Sequence, residues 1–161
     1  MLEPAGRVSV ADVPEELRVD GPVIGAVHAT GFQVYTWRAD GAGKVGWTLK
    51  GPEATFDDGA GFKGTHSAGP TWTAADGSKV VGRKVKERRS PGGDGVPWLV
   101  LEAVSHGGAG RLADATFIQR IHTSGGNAPS VDGGKAGDDV RVPYTADYVF
   151  YGRGATTRRA R

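Results

Sequence analysis

The segment GTHSAGPTW, residues 64–72, brings a histidine and a tryptophan together around a glycine–proline turn. Because the chain holds only four histidines and four tryptophans, His66 and Trp72 stand out as candidate functional residues. Part of the segment has a simpler explanation, since Ser-Ala-Gly-Pro is typical of a tight turn between strands. A turn alone does not require a tryptophan beside a histidine, so we expect His66 and Trp72 to gate the rim of a ligand site.

Two glutamates are candidates for acid–base chemistry. Glu53 follows a Gly-Pro turn in GPEATF, and Glu102 lies within PWLVLEAV on the same strand face as Trp98. A carboxyl group buried beside aromatic rings has a raised pKa and can donate or accept a proton near neutral pH. The alternative is an ordinary carboxylate that pairs with a cation such as Arg120 or accepts backbone N–H bonds. The candidate catalytic residues are Glu53, His66 and Tyr35.

Several other chemistries lack the residues they need. The chain has no cysteine, and its four histidines are spread without an HxH or HExxH pair, so we expect no metal. The run GGAGRLADA is the nearest match to a dinucleotide fingerprint, but its surroundings have a strand pattern and not that of a βαβ unit. No phosphate-binding lysine motif and no GxSxG elbow occur. We therefore expect no cofactor, and a dehydrogenase, a nucleotide-dependent enzyme or a hydrolase is disfavoured.

The elements that position these side chains are strands, which a period of two in the apolar residues indicates along most of the chain. In GFQVYTWR the alternation places Gln33, Tyr35 and Trp37 on one face and Phe32 and Val34 on the other. The same pattern recurs in KVGWTLK, PWLVLEAV, ATFIQRI and VRVPYTADYVFY, between turns rich in the 27 glycines. The spacing predicts an all-β fold of eight or nine short strands, a single antiparallel β-barrel, with a sandwich as the alternative.

Polar and aromatic side chains on both faces of several strands favour the barrel, because a sandwich usually keeps one face exposed to water. We expect the face of Gln33, Tyr35 and Trp37 to point inward, opposite Trp98, Gln119 and Tyr148. Such a lining suits a mainly apolar ligand with a few oxygen atoms. A barrel plugged by its own large side chains is equally compatible with the pattern. The predicted ligand-binding residues are Gln33, Trp37, Trp72, Trp98, Glu102, Gln119, Tyr144 and Tyr148.

The length of 161 residues fits one domain with flanking segments. Residues 1–21 are predicted to form an N-terminal arm with one short helix in VADVPEELR, where Asp12 is the expected N-cap. This arm is a candidate lid for one end of the barrel. Residues 22–151 are the predicted barrel domain, and residues 152–161 form a basic tail that we expect to be disordered.

The formal charge of +2 depends on that tail, which contributes four of the 20 basic residues and none of the 18 acidic ones. Without the tail, the rest of the chain has no excess of basic residues. We therefore expect no nucleic-acid partner. No apolar run is long enough to span a membrane, and no secretory leader is recognisable. We therefore expect a cytoplasmic protein, or a secreted one if a leader has been removed, without a membrane partner.

Six sequence blocks occur in an order similar to that of a known family. They are GFQVYTW, GPEATF, GTHSAGPTW, DGSKVVGRKV, the long block from VPWLVLEAV to GGNAP, and VRVPYTADYVFY, and they span about residues 22–151. This order resembles DUF3455, a family of unknown function found in bacteria and in secreted fungal proteins. The resemblance implies no activity, cofactor or site residue. Family members often contain cysteines, which this chain lacks.

Two functions follow as expectations. The first is enclosure of a mid-sized, mainly apolar metabolite, with cofactor-independent cyclisation or isomerisation in bacterial secondary metabolism as the reaction. The alternative is a non-catalytic binding module for a glycan or cell-surface component, as exported relatives suggest. Exposed coplanar tryptophans would favour the glycan, whereas an enclosed cavity would favour the metabolite. The expected partner is a small molecule, and a homodimer is a further expectation.

Overall fold

The computed structural model describes residues 8–158 and contains ten strands and three short 3-10 helices. The strands are β1 (Val19–Asp20), β2 (Val23–Ala39), β3 (Val45–Asp57), β4 (Lys63–Ser67), β5 (Thr71–Ala74), β6 (Lys79–Arg88), β7 (Trp98–Gly107), β8 (Phe117–Gly125), β9 (Asp139–Tyr151) and β10 (Thr156–Thr157). The 3-10 helices are Glu15–Leu17, Pro91–Gly93 and Arg111–Asp114. Within residues 8–158, no helix is long and apolar enough to cross a membrane.

Strands β2 to β9 pair antiparallel in chain order, and β9 pairs with β2, so the sheet closes into an eight-strand barrel. Closure leaves these strands without free edges, and each strand sends alternate side chains inward. The prediction of a single antiparallel barrel is therefore confirmed, and the sandwich alternative is wrong. A separate two-strand ladder joins β1 to β10.

One end of the barrel is filled by aromatic side chains. The ring centroid of Phe62 lies 5.6 Å from that of Phe56 and 6.2 Å from that of Phe150. Trp72 packs edge-on against Phe150 with 6.0 Å between centroids, and the fully buried Leu112 joins the same core. This half of the interior is filled by the protein's own side chains, an arrangement called the aromatic plug below. The sequence analysis considered such filling as the alternative for the entire barrel.

The N-terminal arm lies on the outer wall of the barrel. Val13 and Leu17 are buried against a second apolar cluster that strands β7, β8 and β9 present outward, including Trp98, Val100 and Tyr151. The expectation that the arm covers one end of the barrel is therefore wrong for its described part, residues 8–20. Residues 1–7 of the predicted arm lie outside the described residues.

The predicted helix in the arm shrinks to the 3-10 helix Glu15–Leu17, preceded by Pro14 and without a side-chain cap. Asp12 is not the N-cap. Its carboxylate instead accepts a hydrogen bond from Nε2 of His122 at 2.9 Å, while Nδ1 of His122 bonds to Asp147 at 2.7 Å. His122 has φ of 52° at a register shift in β8, and this irregularity turns its side chain to the outer surface. The hydrogen bond between Asp12 and His122 therefore links the arm to the wall of the barrel.

The basic tail is ordered where it is described. Thr156 and Thr157 of β10 pair with β1, and Nε of Arg158 donates to Asp20 at 2.8 Å. Arg158 also pairs with Glu15 at 3.3 Å. Disorder of the tail is therefore the wrong prediction for residues 152–158, because backbone pairing and ion pairs hold them against the arm. Residues 159–161 lie outside the described residues.

Candidate functional site

A cavity of about 470 Å³ occupies the end of the barrel opposite the aromatic plug. Its walls come from the second half of β2, the first half of β3, the β4–β5 turn and the beginning of β7. The volume lies within the range typical of small-molecule pockets. Its apolar lining comprises Leu49, Pro52, Pro70, Val96, Pro97, Leu99 and Leu101, and its polar side chains are Gln33, Tyr35, Lys50, His66, Lys84, Glu87, Arg120 and Asn127.

Gln33 and Tyr35 of β2 face this cavity. Gln33 is 3% exposed, and its side chain lines the cavity. The hydroxyl of Tyr35 donates to the carbonyl oxygen of Gly126 at 2.5 Å, and burial raises the pKa of Tyr35. The amide of Gln33 therefore offers a hydrogen-bond donor and an acceptor to a molecule that enters the cavity.

His66 of β4 also lines the cavity, as a neutral base. Its Nδ1 donates to the carbonyl oxygen of Thr71 at 2.9 Å, which leaves Nε2 as a hydrogen-bond acceptor. Burial is the main cause that lowers the pKa of His66 to about 3, so the ring stays uncharged at neutral pH. A base this weak accepts a hydrogen bond well but takes a proton poorly.

Trp72 stacks on His66 with 4.4 Å between ring centroids, but it does not form a rim. It is 1% exposed and does not line the cavity, because the hairpin of β4 and β5 turns it into the core. The indole N–H of Trp72 has no partner among the described residues. The expectation of a tryptophan gate is therefore wrong, whereas His66 does reach the cavity.

Arg120 is a charged cavity residue that the sequence analysis did not single out as a ligand. It lies on β8 with its side chain inward, and its Nε and Nη2 atoms donate to the carbonyl oxygen of Pro97 at 3.0 and 2.9 Å. Within the described part of the chain, no carboxylate forms an ion pair with it. Ile118 and Arg120 alternate with Phe117 and Gln119 in FIQRI, so the sequence puts Arg120 on the same strand face as Ile118 without indicating which face points inward.

Tyr144 and Tyr148 of β9 lie inside the barrel, next to the cavity but not on its surface. Their hydroxyl groups are 3.1 Å apart and hydrogen-bonded, and the ring of Tyr148 lies 5.0 Å from that of His66. Burial is the first cause that raises the pKa of both hydroxyls. Both tyrosines are therefore neutral phenols, and the ring of Tyr148 packs against that of His66.

Trp98 and Gln119 lie on the outer wall, and the expectation that they face Gln33 across the interior is wrong. Gln119 donates to the carbonyl oxygen of Leu17 at 2.7 Å and accepts from the hydroxyl of Tyr151 at 2.7 Å. Trp98 packs in the cluster beneath the arm. The inner face of β7 is instead formed by Leu99 and Leu101, because the apolar arm buries the opposite face.

The two candidate glutamates lie outside the cavity. Glu53 is exposed and pairs with Arg141, and Glu102 pairs with Arg83. These ion pairs correspond to the structural alternative considered for both residues. The expectation that either carboxyl group is buried beside aromatic rings is therefore wrong, because each lies on the outward face of its strand.

Trp37 lies at the cavity end of β2 but does not line the cavity. Its ring meets that of Trp47 edge to face, with centroids 5.1 Å apart and planes at 68°. Backbone bonds from Trp37 to Asp138 and from Gly137 to Trp37 hold it under the β8–β9 loop. The inward expectation therefore holds for the positions of Gln33 and Tyr35 and fails for Trp37.

No group of three or more histidine, aspartate or glutamate side chains within residues 8–158 has the arrangement to hold a metal ion. On the outer wall, Nδ1 of His28 and both ring nitrogens of His122 are hydrogen-bonded to the carboxylates of Asp147 and Asp12. The cavity side chains also offer no set of ligands that would define a cofactor. What the cavity offers is shape, hydrogen-bond donors and acceptors, and one inward cation.

Comparisons with known proteins add a family to this geometry. A search of curated proteins finds no match, and a search of solved structures finds none. A family model described as a protein of unknown function matches residues 20–152, which include the whole barrel. The chain therefore belongs to the DUF3455 family.

Proposed function

We propose that the protein binds a small, mainly apolar molecule in the cavity at the open end of its barrel. The observation that carries this proposal is the cavity of about 470 Å³ itself, in which the polar side chains of Gln33, His66 and Arg120 lie beside an apolar wall. A few convergent polar groups in a mainly apolar lining are typical of small-molecule pockets. A bound molecule would cover the apolar wall and form hydrogen bonds with these groups.

The division of the interior supports the same function. The aromatic end is packed by Phe56, Phe62 and Phe150, so the barrel does not need the cavity end for its core. Leu99, Leu101 and Val96 give the cavity an apolar wall, which suits a hydrocarbon or aromatic body. Apolar surface that is kept open in this way gains about 25 cal/mol per Å² when a ligand covers it.

The polar groups favour binding over acid–base catalysis. His66 is neutral with a pKa of about 3, and the pKa of Tyr35 is raised, so neither exchanges protons readily near pH 7. Glu87, the carboxylate among the described lining residues, pairs with Lys84 at 3.3 Å. The cyclase or isomerase activity in bacterial biosynthesis stays a prediction, as does the cytoplasmic location.

The tryptophans disfavour the alternative of a glycan-binding surface. Sugar rings stack on exposed aromatic planes, whereas Trp37 and Trp47 cross at 68° and the Nε1 atom of Trp47 is bonded to the carbonyl oxygen of Val131 at 2.8 Å. Trp72 and Trp98 are buried. The cavity therefore supports a metabolite better than the surface supports a glycan.

The proposal can be tested with N-phenyl-1-naphthylamine, a neutral apolar dye whose fluorescence rises on burial. We expect saturable one-to-one binding to the wild type. Leu99→Trp fills the cavity and should weaken binding by about tenfold or more, since overpacking leaves no room for the dye. Val104→Trp adds the same side chain at a position of β7 that is 49% exposed and should bind like the wild type.

Circular dichroism and thermal melts of each variant show whether the barrel is intact, and Leu101→Phe is a milder filling variant if Leu99→Trp does not fold. The absence of saturable dye binding, or equal binding by wild type and folded filling variants, would contradict the proposal.

A further inference from the structure

We propose, resting on the function proposed above, that the ligand carries a single carboxylate group and that Arg120 binds it. The inference starts from the guanidinium group of Arg120, which enters the barrel from β8 and reaches the cavity. Two of its N–H groups are bonded to the carbonyl oxygen of Pro97. The hydroxyl of Tyr148 is a further hydrogen-bond partner of Arg120. Because a guanidinium group has five N–H donors, two remain for a ligand.

The charge of Arg120 has no counter-ion in the protein as far as residues 8–158 show. A half-buried cation is costly without a partner, and a planar guanidinium group matches the two oxygens of a carboxylate. The carbonyl oxygen of Pro97 fixes the group in place without neutralising its charge. Arg120 is therefore held in position for an anion that the described residues do not supply.

The other cations at the cavity are already compensated. Lys50 bonds to Asp139 at 2.8 Å, and Lys84 bonds to Glu87 at 3.3 Å. Both lysines are more than half exposed, whereas Arg120 is partly buried within the barrel. One uncompensated inner cation balances one negative charge, which favours a carboxylate over a phosphate dianion.

Two neutral side chains complete the expected contacts. The amide of Gln33 can donate to a carboxylate oxygen, and Nε2 of the neutral His66 can accept from a hydroxyl or N–H group of the ligand. Leu99, Leu101 and Val96 provide the apolar wall for the remainder of the molecule. The ligand class is therefore a small monocarboxylic acid with an apolar body.

Octanoate and octanamide test this inference because they differ in charge but scarcely in shape. By calorimetry at pH 7.5, we expect wild-type protein to bind octanoate about tenfold or more tightly than octanamide, as a charge-assisted pair exceeds a neutral one. Arg120→Gln should bring octanoate to the level of octanamide. Arg83→Gln removes an equal charge from the outer wall and should preserve the preference.

The outcomes separate the inference from the function on which it rests. Equal binding of the two probes by wild type, or a preference that survives in Arg120→Gln, overturns the carboxylate and leaves dye binding intact. The wild-type comparison needs no variant, so a failure of Arg120→Gln to fold does not protect the inference. Tighter binding of octyl phosphate than of octanoate also overturns it. Failure of both probes while N-phenyl-1-naphthylamine binds contradicts the carboxylate, and failure of the dye as well contradicts the proposed function.

Discussion

His66 and Trp72 face each other across the β4–β5 hairpin, and their rings stack with centroids 4.4 Å and planes 17° apart. One member of the pair touches the cavity and the other is buried in the aromatic core. The stacked pair therefore connects the part of the barrel that is open to a ligand with the part that stabilises the fold. Changes to His66 should consequently be visible in stability as well as in binding.

Stability should fall in acid because His66 must stay neutral inside the barrel. Its pKa is lowered from 6.5 to about 3, mainly by burial, so the unfolded chain binds its proton first. The resulting stabilisation is fully present above pH 6.5 and is lost as the pH falls toward 3. The full loss is on the order of 5 kcal/mol. Urea unfolding at several pH values measures this slope. His66→Gln should flatten it, whereas His106→Gln should keep it, and an unchanged slope in His66→Gln would contradict the role of His66.

The N-terminal arm should contribute to the stability of the barrel from outside. Leu17 is 0% exposed, and its carbonyl oxygen accepts the amide of Gln119. Leu17→Ala should lower the free energy of unfolding by about 2–5 kcal/mol. The control is Val10→Ala, at a position that is 40% exposed, where we expect less than about 0.5 kcal/mol. Urea denaturation distinguishes the two, and a similar small effect for both would show that the arm does not pack as described.

The contact between arm and barrel should weaken as the pH rises. Burial acts to lower the pKa of His122, but hydrogen bonds to Asp12 and Asp147 outweigh it and raise the pKa. The protonated ring therefore stabilises the contact fully below pH 6.5, and this stabilisation is lost as the pH rises through the raised pKa. His28, which shares Asp147, faces the same cluster.

Hydrogen exchange can follow this change through the amides of Val13 and Leu17, which are bonded within the arm. We expect their protection factors to fall between pH 6 and pH 8 in the wild type. Asp12→Asn should remove most of that dependence, whereas Asp132→Asn, at an exposed position in the β8–β9 loop, should not. Protection that is independent of pH in the wild type would be the contrary result.

Gly64 should tolerate no side chain, because the backbone of β5 and the ring of Phe56 lie directly over it. A Cβ atom there would fall 2.0 Å from the carbonyl oxygen of Thr73 and 2.6 Å from Cζ of Phe56. Gly64→Ala should therefore destabilise the barrel by about 1–3 kcal/mol or more through overpacking. Gly46→Ala, in β3, meets nothing within 4 Å and should change stability little. Thermal melts of both variants check the difference, and equal melting temperatures would argue against the close packing of β5 and Phe56 over Gly64.

The alternation of apolar residues predicted the barrel, because side chains of a pleated strand point alternately to its two faces and this pattern is present in every long strand. It could not say which face of β7 or β8 points inward, because both faces are buried. Leu99 packs inside, and Trp98 packs under the arm, so each face of β7 has a cover. The sequence showed the arm as a separate segment but carried no information on where it docks.

The cavity was only partly predictable for a related reason. Gln33 and Tyr35 stood out because polar side chains in a strand pattern need a partner or a ligand. Arg120 did not stand out, because an arginine in a strand is usually exposed to solvent. Only the closure of the barrel shows that Arg120 follows Ile118 on the inner face and reaches the same space as His66.

The most direct test of the central claim is methyl NMR of the wild-type protein titrated with N-phenyl-1-naphthylamine. The aromatic rings of the dye shift nearby methyl resonances, so the shifts locate the dye within the barrel. We predict saturable shifts at Val96, Leu99 and Leu101 of the cavity and none at Val80 or Leu112 of the filled end. Shifts confined to the filled end or to the outer wall, or no saturable shifts, would contradict ligand binding in the cavity.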